Sequence, residues 1–191
     1  SDGPLDMRMD SRQPLTAATL LNTAGAEELA KIFWEYSDER ESRRFARAIV
    51  HDRESRPFET TRQLAELIER LSPRRGRKTH PATRVFQALR IAVNDEIGSL
   101  ERGLEGAMKI LKPGGRPAVL SFHSLEDRVV KFFGRARARD YTFAGTDVPE
   151  LRAPCAPELR LVNRKAMKPG EAEMAENPRS RSAQLRVMEK I

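Results

Sequence analysis

A chain of 191 residues, 39% hydrophobic and 33% charged, is long enough for one substantial domain, or a domain carrying a smaller insert, and too charged for a membrane protein. No apolar run approaches the ~18–20 residues that cross a bilayer, and Ser1-Asp2-Gly3-Pro4 opens neither a signal nor a transit peptide. A membrane partner is therefore not expected, and the single cysteine, Cys155, excludes a disulfide framework, so the expected compartment is the reducing cytoplasm. The net charge of +7 suits a polyanionic partner, because basic side chains release counterions from phosphate, but an excess of this size also occurs in proteins that never meet nucleic acid.

The first ten residues, Ser1 to Asp10, have no periodicity and read as an ordered or functional loop. They lack an initiator Met, so the chain is expected to begin inside a longer protein. From about Thr16 to Leu71 the pattern is helical: Leu29, Ile32, Phe33 and Tyr36 make one stripe, Phe45, Ala48 and Ile49 a second, and Leu64, Leu67, Ile68 and Leu71 a third. Thr60 with Gln63 three residues on has the form of a capping box. The faces left over carry Arg40, Arg43, Arg44, Arg47, Arg53 and Arg56, a set that would track a phosphate backbone or simply be solvated. The basic loop Pro73–Lys78 is expected to close this small bundle.

Pro81 fits a first helical position, and Phe86, Leu89, Val93, Ile97, Leu100, Leu104, Met108 and Leu111 predict one long helix or two in succession, broken near Gly98. Lys112-Pro113-Gly114-Gly115 stops it. Ala118 to Phe122 reads as a buried strand, with Pro117 confined to its first position or a bulge because proline has no N–H for a ladder. A helix follows from Leu125 to about Ala138, burying Val129, Val130, Phe132 and Phe133, and Asp140 to Pro157 reads as loop. Two half-exposed strands are predicted at Glu158–Asn163 and Ala183–Met188, with a basic turn at Asn177-Pro178-Arg179-Ser180-Arg181-Ser182 before the second. Helix and strand alternate as in an α/β layer, but these strands are too few to make such a domain alone.

Four stretches are specific: Asp2-Gly3-Pro4-Leu5-Asp6-Met7-Arg8-Met9-Asp10, the run from His80 to Arg90, Ser121-Phe122-His123-Ser124-Leu125-Glu126-Asp127-Arg128, and the Asn177–Ser182 turn. In this order, across essentially the whole chain, they resemble the RsmH (MraW) family of ribosomal RNA methyltransferases. The resemblance implies an α/β fold, the second half of a class I (Rossmann-like) methyltransferase with an inserted helical domain. It divides the chain into an active-site-proximal loop at 1–15, an RNA-facing insert at 16–80 and the remaining core at 81–191. The implied activity is methyl transfer from S-adenosylmethionine to the N4 amine of a cytidine in the decoding region of small-subunit ribosomal RNA, with that RNA or the small ribosomal subunit as partner. The family's cofactor contacts would lie upstream of the first loop. The sequence has no G-x-G-x-x-G after a strand, so the chain alone is expected to be inactive. The rival reading is a non-catalytic RNA-binding or ribosome-assembly module.

A cytosine amine is a poor nucleophile, its lone pair being delocalised into the ring, so groups that accept its N–H bonds and hold the splayed-out base are the ones to seek. His123 follows a predicted strand at its carboxyl end, flanked by Ser121 and Ser124, which is where open α/β sheets place ligands. The alternative is a helix-capping role, with Ser124 as N-cap and Asp127 completing the box. In the first loop, Asp6 and Asp10 would accept amine hydrogen bonds, Arg8 would hold phosphate, and Met7 with Met9 would line a base pocket; alternatively the loop only braces the fold. Arg84 and Arg90 would face RNA or pair with neighbours such as Asp95 and Glu96, and Arg179 and Arg181 would contact phosphate. His51 and His80 lack partners at ligand spacing, so no metal is expected.

Overall fold

The computed structural model describes residues 2–73 and 80–191. They form two compact units, residues 1–96 and 97–191, each with its own core.

The first unit is helical: α1 (Ala17–Thr23), α2 (Ala26–Ser37), α3 (Ser42–Arg53), α4 (Thr61–Leu71) and α5 (Thr83–Asn94). Leu29 and Phe33 of α2, Phe45 and Ile49 of α3, Leu64 and Ile68 of α4, and Val85 and Leu89 of α5 are all buried in one cluster. The predicted stripes lie on the buried faces, with Ile32, Tyr36, Ala48, Leu71 and Phe86 half-buried at the margin and Val85 an unpredicted addition. The Thr60 capping box forms as expected, Thr60 Oγ1 accepting from the Gln63 N–H (3.3 Å) and Gln63 Oε1 from the Thr60 N–H (2.8 Å). Arg53 departs from the expected exposed set. Its Nη1 turns inward and donates to the carbonyls of Leu21 (2.7 Å) and Ala24 (2.6 Å), satisfying groups that the end of α1 leaves open. The expected loop at Pro73–Lys78 lies, beyond Pro73, outside the described residues.

The long apolar stripe after His80 is two helices, but the break falls at Asp95 instead of Gly98. Asp95 takes the left-handed conformation (φ 46°) as the C-cap of α5, which a short polar side chain tolerates better than most. Gly98 lies inside the next helix, α6 (Glu96–Ile110). Pro81 sits in a turn ahead of α5, not at its first position. His80 makes that turn, its Nδ1 accepting from the Ala82 N–H (3.1 Å) and its carbonyl from the Thr83 N–H (3.0 Å).

In the second unit α6 leads to β1 (Ala118–Ser121), α7 (Ser124–Arg137), the short pair β2 (Tyr141–Phe143) and β3 (Arg152–Pro154), then β4 (Leu159–Leu161), α8 (Glu171–Glu176) and β5 (Gln184–Lys190). The main sheet is antiparallel with order β1-β5-β4, Leu120 standing opposite Leu185 and Leu159 opposite Lys190. Leu104, Met108, Val130, Leu159 and Met188 are its buried cluster. As expected, α6 stops at the Pro-Gly-Gly turn, where Gly114 has φ 81°. The Lys190 ammonium closes that helix end, donating to the carbonyls of Met108 (2.7 Å) and Leu111 (2.8 Å), where a cation also meets the favourable end of the helix dipole.

Three expectations are corrected here. β1 is not buried: Ala118 and Leu120 are exposed, Val119 is half-buried and only Ser121 is fully covered, because an edge strand of a three-stranded sheet is covered on one face at most. Phe132 is exposed on α7, where Asp127 and Val130 face inward. Asp140 to Pro157 is not all loop, since β2 and β3 pair within it. Their three-residue strands are too short to give a period, and the pair is held by side chains: Arg152 lies 4.2 Å from the Tyr141 ring centroid and bonds Asp147 at 2.8 Å. Pro117 stands just before β1, and its carbonyl accepts the Met188 N–H (3.1 Å), so the lost donor disturbs no ladder. No helix among the described residues is long and apolar enough to cross a membrane.

Candidate functional site

In the first unit the opening loop is tied down on both sides. The Leu5 N–H bonds the Glu59 carbonyl and the Ala18 N–H bonds the Leu5 carbonyl, each at 2.8 Å, with the Leu5 side chain in the core. Asp6 and Arg8 form a two-point pair (2.7 and 2.9 Å), and Nη1 of Arg8 donates to the carbonyls of Ser11 (2.8 Å) and Gln13 (2.6 Å). The Arg8 guanidinium holds the Asp6 carboxyl down at about 2. These Arg8 donors are thus directed into the loop itself, and the Asp6 oxygens face a cation. Asp10 pairs likewise with the exposed Arg12 (3.0 and 2.8 Å), which keeps its carboxyl below the usual range.

Met7, between Asp6 and Arg8, has φ 65°, a conformation that costs an ordinary residue ~1–2 kcal/mol and persists only where neighbours impose it. Asn94, the last residue of α5, is that neighbour: its Nδ2 donates to the Met7 carbonyl (2.8 Å) and its Oδ1 accepts from the Met9 N–H (2.7 Å). The Met7 side chain packs against the core while Met9 is exposed. Asn94 carries no signal in the sequence, because its partners lie more than eighty residues away.

In the second unit, the turn from β1 into α7 contains His123, which is itself the N-cap: its Nδ1 accepts from the Glu126 N–H (3.3 Å) and Glu126 Oε2 accepts from the N–H groups of His123 (3.2 Å) and Phe122 (2.8 Å). A reciprocal box thus forms with histidine in the place usually held by Ser or Thr. Ser124 is exposed at the first helical position, and Asp127 takes no part in the box. Acceptance at Nδ1 puts the ring proton on Nε2. Nε2 is buried and lies 3.3 Å from Glu126 Oε1, within ion-pair reach of it, though it makes no hydrogen bond among the described residues. Ser121 is buried and donates to the Gln184 carbonyl (3.3 Å). The group this turn does offer is the Phe122 ring, half exposed, although the apolar run 118–122 predicts a buried strand.

Burial opposes ionisation of Glu126, but the His123 imidazole and the two backbone N–H groups outweigh it and hold the carboxyl at about 2 against an ordinary 4.5. A carboxyl depressed in the folded state stabilises fully above 4.5 and loses that contribution as the pH falls from there towards 2. Glu126→Gln keeps the box, since Gln serves at that position, and removes the titration. Urea unfolding across this window should therefore show a smaller acid loss for Glu126→Gln than for the parent; identical slopes would mean the carboxylate does not stabilise the turn.

The basic residues divide. Arg90 pairs with Glu96 at two points (2.7 and 2.9 Å), and the exposed Arg84 donates from Nη1 to the Asp38 carbonyl (3.3 Å). Arg179 and Arg181 are exposed on a short 3-10 turn, Pro178–Ser182, whose Ser180 hydroxyl bonds the Asn177 carbonyl (2.8 Å). Among the described residues their guanidiniums make no hydrogen bond or ion pair. β1 enters α7 without an intervening glycine, and Gly115 and Gly134, where an added Cβ would meet neighbours, close on their own turn and on core side chains.

The family model for the MraW methylase family matches residues 1–191. The chain belongs to that family. Among relatives, it is 55% identical over 186 residues to the ribosomal RNA small subunit methyltransferase H of Caulobacter vibrioides, covering 97% of this chain and 60% of that protein. It is 50% identical over 191 residues to the protein of the same name from Carboxydothermus hydrogenoformans, covering all of this chain and 61% of that one. The Geobacter sulfurreducens protein of that name is also 50% identical, over 193 residues and 62% of its length. The chain thus spans about 60% of the length of the MraW-family relatives it matches.

Proposed function

We propose that this chain is the substrate-side part of an enzyme that methylates the N4 amine of a cytidine in the decoding region of small-subunit ribosomal RNA, with S-adenosylmethionine as methyl donor. The match to the MraW family over residues 1–191, with relatives named as small-subunit methyltransferases, carries the reading. The fold would be class I (Rossmann-like), with residues 16–80 as the inserted helical domain. In support, among the described residues β1 has one neighbour and exposes Ala118 and Leu120, a free edge and an apolar face suited to a larger sheet. Having no glycine-rich turn after a strand, these residues alone are expected not to bind the donor.

Their work in this reading is to hold the base. Phe122 stacks on the splayed-out cytosine, the Ser124 hydroxyl accepts an amine N–H, and His123 with Glu126 is a positioning pair that fixes the turn carrying both. In the first loop, Asp6 and Arg8 keep the shape that Met7 and Asn94 complete, leaving Met9 and the Asp10 carboxylate for the substrate. Arg179 and Arg181 contact phosphate.

The test is methyl transfer to small ribosomal subunits by a version of the protein extended upstream to the length of its relatives, with the product nucleoside identified by mass spectrometry. Methylation at cytidine N4 is expected; methylation at a ring carbon or ribose would overturn the assignment. His123→Asn keeps an N-cap and should keep most activity, whereas Phe122→Ala should raise KM with little change in folding. A large loss in His123→Asn with intact folding would instead put the imidazole in the chemistry.

A further inference from the structure

The only tryptophan of the chain, Trp34, is 55% exposed on α2. It is three-quarters of the way along a helix whose opposite face supplies Leu29 and Phe33 to the core, so nothing in the folding of this unit requires so large a ring outside. The groove it lines runs between α2 and the start of α3, bordered by Lys31, Arg40, Arg43, Arg44 and Arg47. Two carboxylates border it as well, Glu27 and Glu41. Glu41 is occupied by Arg44 (2.9 Å) and by the Ser72 hydroxyl (3.0 Å). Among the described residues Arg40 and Arg43 have no acidic partner, and Arg47 donates only to the Arg43 carbonyl (3.3 Å). Arg43 and Arg47 stand one helical turn apart on α3, with Cβ atoms ~6 Å from each other.

We propose that this groove binds single-stranded RNA, one base stacking on the Trp34 indole while Arg40, Arg43 and Arg47 hold the flanking phosphates. An exposed aromatic ring beside unpaired guanidiniums is the combination that single strands need, a face for a base and charge for the backbone. An acidic protein segment would use the charges but leave the indole without a purpose. The choice of RNA rests on the ribosomal RNA reading above; the stacking and the charge do not.

Because Trp34 is the sole tryptophan, its fluorescence reports on this groove alone. Titrating an oligouridylate into the chain should quench it, with an affinity that falls as salt rises. Trp34→Ala, measured by anisotropy of labelled RNA, should weaken binding about tenfold, and Trp34→Phe should recover most of the loss. Arg43→Ala with Arg47→Ala should lower the salt slope by roughly two. RNA binding that leaves the fluorescence unmoved and Trp34→Ala unaltered would sink the groove while leaving the methyltransferase reading intact. Equal quenching by a poly-glutamate peptide would reassign the surface to protein. Failure of methyl transfer in the extended protein, with the quenching present, would do the reverse: the RNA groove stands and the enzyme reading falls.

Discussion

Asp127→Ala is expected to lower the stability of the second unit by about 3 kcal/mol, because it leaves the Arg186 guanidinium buried without its counter-charge. Asp127 on α7 and Arg186 on β5 meet at two points, 2.7 and 2.9 Å apart, with side chains only 13% and 12% exposed. Of the remaining Arg186 donors, Nη1 reaches the Arg164 carbonyl at 3.4 Å, too long to replace a carboxylate. The pair joins the helix to the middle strand of the sheet, so its loss acts on both. Urea unfolding would measure it, and a fall below about 1 kcal/mol would show that water reaches Arg186 once the carboxylate is gone. Replacing both partners, Asp127→Leu with Arg186→Met, should recover most of the loss, since a buried pair is often matched by apolar groups of similar volume.

The same pair illustrates what the sequence could not say. Asp127 had a local reading, the third position of a capping box begun by Ser124, and the true partner is 59 positions away. The box exists one residue earlier, between His123 and Glu126, and histidine is not among the residue types that usually announce an N-cap. Asn94 clamping Met7, Arg53 capping α1 and Lys190 closing α6 failed to show for the same reason: each is a polar side chain spent on a backbone group distant in sequence. Contacts within about four residues were legible where the residue types are the usual ones for that motif. The stripes of α2 to α5, the Thr60 box and the stop at Gly114 all follow from spacing and turn chemistry that the chain carries locally. β1 departs from expectation in another way, since an apolar run reports what a strand can bury and not what covers it in these residues. Arg84 and Arg90 have two open readings in the sequence: Arg90 makes the pair with Glu96, Arg84 is exposed with one bond to the Asp38 carbonyl, and Arg179 and Arg181 remain outward.

Phe33→Ala should remove about 3–5 kcal/mol from the first unit, the range for deleting a fully buried aromatic ring from a core that cannot collapse around the cavity. Phe33 is 0% exposed and shares its cluster with Phe45, Leu29 and Leu89 from three different helices, so no single helix can shift to fill the space without disturbing the others. Its neighbour supplies the control. Trp34 is the larger ring, yet at 55% exposure its replacement by alanine should change stability by no more than about 0.5 kcal/mol. Amide hydrogen exchange of α2, α3 and α5 would read both, with a large loss of protection in the first protein and little in the second. A small effect of Phe33→Ala would mean the bundle repacks, and a large effect of Trp34→Ala would mean the exposed indole supports the fold. The second outcome would also remove the reason for assigning Trp34 to a ligand, because a side chain that the core already needs has no surplus exposure to explain.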